Sequence, residues 1–305
     1  MAGLSEMPLS ASTSAGVRAP GSMPDPSRAA GTANDEMPFD HIVVVMMENH
    51  SFDNVLGALS RAGQSGADGL SFDANGEATN SNPGVAGTPP GVIAFPLTST
   101  AQGANVSQTW NATHEQIDGG KMDGFVRSVK STQPMGYYPP EVLPFAYSLA
   151  STFTVANRWF CSAPCQTIPN RRFLLAGTAY GAISTDVTTL LDGSPPNGTI
   201  FDRVDEHGIS WRNYFTDLPG SAVIPSIIEK HATHLRPIGQ FYDDCAAGKL
   251  PSVSFVDPEA GLIAFAGTLL EKLPLLGSLG AKIAQHGGSE EDPRTCTTAR
   301  HGPTG

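Results

Sequence analysis

Glu48 and Asn49 stand side by side directly after an apolar run, and both end in oxygen donors. His50, Ser51 and Asp53 follow at once, a dense patch of polar chemistry for one short stretch. Two further clusters have the same character. Thr167, Asn170 and Arg171 follow one predicted strand, and Asp257 ends another. Hard oxygen ligands suit a hard or borderline metal ion, and a hydroxyl beside such an ion can lose its proton at neutral pH. A guanidinium and an amide donor next to that hydroxyl would stabilise charge on transferred phosphoryl oxygens. With His114 added, the set is coherent with phosphoryl transfer. Plain structural readings stand beside these. Glu48-Asn49 fits a polar turn, with Ser51 or Asp53 capping the next helix. Thr167 fits a helix N-cap before Pro169. His114 fits a helix surface, and Asp257 fits a turn before Pro258.

The elements that must position these residues follow from the apolar pattern. Ile42-Val43-Val44-Val45-Met46-Met47 is β-branched and too short to span a membrane, so it predicts a strand buried on both faces of a parallel sheet. Open α/β sheets bind ligands beyond the carboxyl ends of their strands, where Glu48 and Asn49 lie. Further strands are predicted over 153–160, 210–215 and 250–258. Helices are predicted over 111–117, 141–151 and 199–207, with another starting at Arg172. The Gly-, Asn- and Pro-rich stretch 60–105 reads as a long surface excursion. Strand-loop-helix alternation of this kind predicts an α/β fold, a three-layer α/β/α sandwich around a mixed, mostly parallel sheet.

Composition narrows the function. The net charge of -11 argues against nucleic acid as the partner, since phosphate backbones attract basic surfaces. A phosphate-bearing substrate stays open, because a bound cation inverts the local field. The four cysteines are too few for a disulfide-built scaffold, and Cys161 and Cys165 lack zinc-ribbon spacing, which leaves a local disulfide or free thiols. No stretch is apolar enough to span a bilayer. Residues 1–36 are rich in Ala, Ser, Gly, Pro and Thr, and read as a disordered leader with no standard secretory signal. Residues 262–284 are apolar but Gly-interrupted, which fits a packed helix pair or an amphipathic segment making peripheral membrane contact.

The segment Met46-Met47-Glu48-Asn49-His50-Ser51-Phe52-Asp53 resembles the signature of the bacterial phosphoesterase family. That family holds phospholipases C and acid phosphatases of the alkaline-phosphatase superfamily. The likeness continues through Thr113-His114, Gly120-Lys121-Met122-Asp123-Gly124-Phe125-Val126, Leu143-Pro144-Phe145-Ala146-Tyr147, Thr167-Ile168-Pro169-Asn170-Arg171 and Val253-Ser254-Phe255-Val256-Asp257-Pro258. The resemblance implies an alkaline-phosphatase-like fold and a divalent metal ion of unspecified identity, with Glu48 and Asn49 among its ligands. It implies Thr167 as the nucleophile, His114 as a leaving-group acid or phosphate partner, and Asn170 and Arg171 as shapers of the phosphate pocket. The implied substrate is a phosphoester, in the first place a phospholipid phosphodiester. An acid phosphatase-like phosphomonoesterase and an inactive remnant that binds phosphate or lipid head groups are the rival implications.

Two departures touch the site. His50 stands where the family commonly has Arg, and Gln108 where many members have His. A third is larger. The family continues to a later strand ending in an Asp-Glu pair before His-Gly-Gly, whereas His286-Gly287-Gly288 here follows Ala284-Gln285. The expectation is therefore an incomplete phosphoesterase domain over 37–293, lacking its C-terminal part, with an atypical tail over 294–305. The compartment is not determined, because no signal peptide is legible.

Overall fold

The computed structural model describes residues 39–101, 106–185 and 194–258. The predicted leader, the 262–284 segment and the tail lie outside the described residues. In chain order the strands are β1 (Ile42–Val45), β2 (Ser81–Pro83), β3 (Gly91–Ile93), β4 (Phe95–Pro96), β5 (Gly136–Tyr137), β6 (Trp211–Phe215), β7 (Leu235–Pro237) and β8 (Val253–Asp257). The α-helices are α1 (Phe52–Leu56), α2 (Trp110–Ile117), α3 (Phe125–Val129), α4 (Pro144–Thr152), α5 (Thr167–Ala176), α6 (Ile200–Glu206), α7 (Pro225–His231) and α8 (Ile238–Ala246).

The central sheet has the order β1-β8-β6-β7, and each of its pairings is parallel. Val45 is level with Val256, and Phe215 with Asp257, so the carboxyl ends of β1, β8 and β6 form one rim. Period-two alternation along β6 splits its side chains between two faces. Trp211 stacks on Phe201 of α6 with ring centroids 4.0 Å apart, while Tyr214 meets Phe241 of α8 on the opposite face. Helices thus cover both sides of the sheet, in the three-layer arrangement that parallel strands require. Ile168, Leu175, Phe201, Trp211, Val223, Ile224, Ile227 and Phe255 form the core on the α5 face. On the other face the Tyr214 hydroxyl donates to Asp244 at 2.7 Å; burial and that carboxylate push the phenol up to about 12. No described helix is long and apolar enough to cross a membrane.

A second cluster gathers α1, α4 and β5 around Leu59, Tyr137 and Tyr147. The Tyr147 hydroxyl donates to the Tyr138 carbonyl at 2.7 Å and accepts the Ala58 amide. Asn54 of α1 donates to the Gly136 carbonyl at 2.8 Å. These bonds fix the helix that follows Glu48 and Asn49, and Ser51 caps it by accepting the Asn54 amide.

Two sequence expectations fail. β1 is not buried on both faces: among the described residues it is an edge strand, and Val45 is 57% exposed. Its apolar run suits a covered position, but among the described residues α8 packs against β6, β7 and β8, and Ile42, Val43 and Val45 stay exposed. Residues 153–160 are not a strand. They run as irregular chain with Trp159 and Phe160 exposed, held by the Arg158–Asp68 ion pair at 2.6 Å. β-propensity reports fitness for a pleated, half-buried surface, and among the described residues no strand offers 153–160 a ladder. The helices at α2, α4 and α6 and the strands at β6 and β8 fall where the pattern puts them; α3, α7, β7 and α8 were not legible in it. The stretch 60–105 carries the short strands β2, β3 and β4, a Phe72–Ala78 bridge and the end of a 3-10 turn over Leu59–Arg61 among its described residues.

The N-terminus of α6 shows how local chemistry sets an element end. Thr199 accepts the Asp202 amide while Asp202 accepts the Thr199 amide at 2.7 Å, a reciprocal capping box. Burial works to raise the Asp202 pKa, but the Thr199 bonds and Lys230 outweigh it and hold the carboxyl below the usual range. A depressed native pKa means that this stabilisation is present above about pH 4 and is lost as the pH falls through the native value. Asp202→Ala is expected to cost about 1 kcal/mol at pH 7. The cost should shrink below pH 4, as read by urea unfolding at the two pH values.

Candidate active site

The site is assembled where the rim of the sheet meets the first turns of α5. Thr167 is the first residue of that helix and Arg171 lies one turn further, so both project on the same side. The Arg171 side chain is 5% exposed and runs between two carboxylates. Its Nε donates to Glu48 Oε2 at 3.0 Å, and its Nη1 donates to Asp257 Oδ1 at 2.8 Å. Burial works against the guanidinium charge, but Glu48 and Asp257 outweigh it and raise the Arg171 pKa.

Asp257 is not the turn residue that Pro258 suggested. It is buried, and its second oxygen accepts Asn213 Nδ2 at 2.8 Å and the Gly220 amide at 2.9 Å. Asn213 in turn accepts the Ser221 hydroxyl at 2.6 Å. A cavity of about 10 Å3, room for roughly one water, lies among Arg171, Asn213, Ser221 and Asp257. Sequence reading missed Asn213, Gly220 and Ser221. The available signal was Asn213 itself, an amide inside Trp211-Arg212-Asn213-Tyr214-Phe215 on the same strand face as Trp211. A buried amide demands partners, so an Asn among aromatics marks a polar network.

Asn170 serves the loop before the helix. Its Oδ1 accepts the Ala163 amide, and its Nδ2 donates to the carbonyls of Ala163, Cys165 and Gln166. Gln166, not Thr167, occupies the N-cap position. The Gln166 side chain accepts the Thr185 amide at 3.1 Å, while the Thr185 hydroxyl accepts the Ile168 amide. Thr167 therefore sits one step inside the helix, and its hydroxyl is not the cap that the structural reading assigned. Cys161 and Cys165 carry free thiols; burial and the Cys161 neighbour push the Cys165 thiol up.

Asn49 follows Glu48 with φ of +72°, a left-handed conformation that Asn tolerates better than most residues. Its Oδ1 accepts Gln108 Nε2 at 3.0 Å, so the residue that departs from the family pattern ties the approach to α2 to the strand exit. His114 is exposed on α2. Its Nδ1 contacts the Trp110 carbonyl at 2.7 Å, which makes Nδ1 the donor and turns Nε2 to other partners. Hydrogen bonds thus unite Glu48, Arg171 and Asp257 directly, and Thr167 and Asn170 share their helix. The bonds of Asn49 and His114 run to the α2 region instead.

A model of the phosphoesterase family matches residues 39–266. The chain belongs to the phosphoesterase family. It is 34% identical over 237 residues to the non-specific phospholipase C1 of Arabidopsis thaliana, covering 72% of this chain and 43% of that protein. Non-specific phospholipase C3 of the same plant is 29% identical over 255 residues, covering 75% of this chain and 47% of that protein. Phospholipase C A of Mycobacterium tuberculosis strain H37Rv is 27% identical over 259 residues, covering 72% and 49% respectively. The chain spans about half the length of the curated relatives it matches.

Family membership implies a divalent ion, and the donor set of this chain can be tested against one. A hard cation takes about six oxygens, or about four donors for zinc. Of the two implied ligands, Glu48 is already bonded to Arg171 and Asn49 to Gln108. No group of three or more His, Cys, Asp or Glu side chains converges among the described residues. The described donors therefore do not make a metal centre by themselves.

Substitutions at two positions check the architecture. A Cβ on Gly220 would stand 1.9 Å from Arg171 Nη1 and 2.6 Å from Asp257 Oδ1. Gly220→Ala is expected to cost at least about 2 kcal/mol, because the buried heads cannot retreat. Asn49→Gly should leave thermal stability within about 0.5 kcal/mol, while Asn49→Ala should cost about 1 kcal/mol by forcing a β-carbon into the left-handed region. Differential scanning calorimetry of the three variants measures both effects.

Proposed function

We propose that this domain hydrolyses phosphoric esters, with a phospholipase C-like phosphodiester as substrate and Thr167 as the nucleophile. The observation that carries the reading is Thr167 at the start of α5, one turn from an Arg171 held on the sheet rim. The names of the phospholipase C relatives support the substrate class. The N-terminus of a ten-residue helix favours negative charge, so the first turn of α5 suits an incoming phosphoryl group.

Thr167 Oγ attacks phosphorus and passes its proton to a water molecule, forming a phospho-threonine ester as the bond to the lipid alcohol breaks. His114 in its doubly protonated form keeps Nδ1–H on the Trp110 carbonyl and gives its Nε2 proton to the departing alkoxide. Water then cleaves the phospho-threonine bond, restoring the hydroxyl and releasing the phosphorylated head group. Arg171 uses Nε and Nη1 on the carboxylates, so Nη2 is the edge it offers to phosphoryl oxygens. Asn170 acts by holding the 163–166 loop in shape rather than by touching substrate. A divalent ion, when bound, would supply charge neutralisation at the phosphoryl group. Glu48 and Asn49 would be two of its ligands.

Thr167→Ala is expected to lower turnover of a chromogenic phosphodiester by at least about 1000-fold while leaving the melting temperature unchanged. Parent-level turnover in that variant would sink the assignment. Running a chromogenic phosphomonoester in parallel distinguishes diester from monoester preference.

A further inference from the structure

The disagreement between the metal that the family implies and the donors in this chain has a specific physical form. The place between the strand-end carboxylates is filled by a cation belonging to the chain. Arg171 Nε and Nη1 each engage a different carboxylate, at 3.0 and 2.8 Å. We propose that Arg171 is the built-in counter-cation of Glu48 and Asp257, and that a divalent ion must displace Arg171 from Glu48 to bind there.

The surroundings are fitted to the guanidinium. Gly220 leaves the space that Nη1 uses, since a Cβ there would come within 1.9 Å of it. Asn213 Nδ2 and the Gly220 amide hold the far oxygen of Asp257, so Oδ1 is presented to Nη1. Val45 of β1 lies level with Val256 of β8, which brings the two carboxylates to one rim from adjacent strands. Counting Glu48, Arg171 and Asp257, the triad carries one net negative charge. Two carboxylates without Arg171 would carry two, and that difference governs how strongly the place attracts a divalent ion. The other implied ligand, Asn49, is neutral and already accepts from Gln108.

The proposal stands on the ion pairs rather than on the phosphoesterase reading, and its test reads metal content, affinity and melting temperature, not turnover. Purified full chain is expected to hold far less than one equivalent of divalent metal by mass spectrometry, with a melting temperature indifferent to EDTA. One equivalent that disappears in Glu48→Gln would overturn the proposal. Arg171→Met, titrated calorimetrically with Mn2+ alone, should bind at least about tenfold more tightly than the parent; unchanged affinity would overturn it. If the Met variant fails to fold, Arg171→Lys keeps the charge and is expected to remain metal-poor. A Lys variant that acquires one equivalent would count against the proposal as heavily as a metal-loaded parent.

Discussion

A single buried guanidinium holds the working end of this molecule together. Arg171 enters from α5, yet both of its ion-pair partners belong to the sheet rim, Glu48 beyond β1 and Asp257 at the end of β8. Helix and sheet are thereby pinned at the carboxyl ends of adjacent parallel strands. Such a triad is costly to desolvate and stable only when every member is matched, so removing one partner typically costs about 3–5 kcal/mol. The matching extends outward through Asn213, Ser221 and the Gly220 amide. Each bond in that chain has a buried group at one end that could not be left without a partner.

Around this fixed point, the residues in the family signature tie together the segments that meet at the rim. Asn170 commits its carboxamide to the loop that delivers Thr167, and Gln166 and Thr185 exchange bonds that secure the start of α5. Thr167 is then presented by a rigid first turn and not by a free loop. On the opposite side, the left-handed turn at Asn49 and its bond to Gln108 link the strand exit to the approach of α2, which carries His114. Two separate parts of the chain are thus tied together by polar bonds, and the first turn of α5 is also packed into the core through Ile168.

The β1 edge of the same sheet is much less enclosed. β1 keeps its ladder to β8 but exposes Ile42, Val43 and Val45, and the aromatic residues Trp159 and Phe160 project into solvent. Both stretches are composed for burial. Burial depends on what lies opposite, and among the described residues no element covers them.

The sequence by itself determined the α/β class, the strands that end at Glu48 and Asp257, and the membership of Thr167, Asn170 and Arg171 in one cluster. Apolar period, strand-end polarity and ordered motifs are local properties, and they survive in a one-dimensional reading. Only the tertiary structure decided which polar groups meet. Strand order made β1 an edge, parallel register set Glu48 beside Asp257, and that pairing converted a turn aspartate into the buried partner of Arg171. Asn213 and Gly220 gained their roles in the same way, through contacts spanning dozens of residues that no local periodicity encodes. Composition can state that a charge is present; the sheet order determines which opposite charge compensates it.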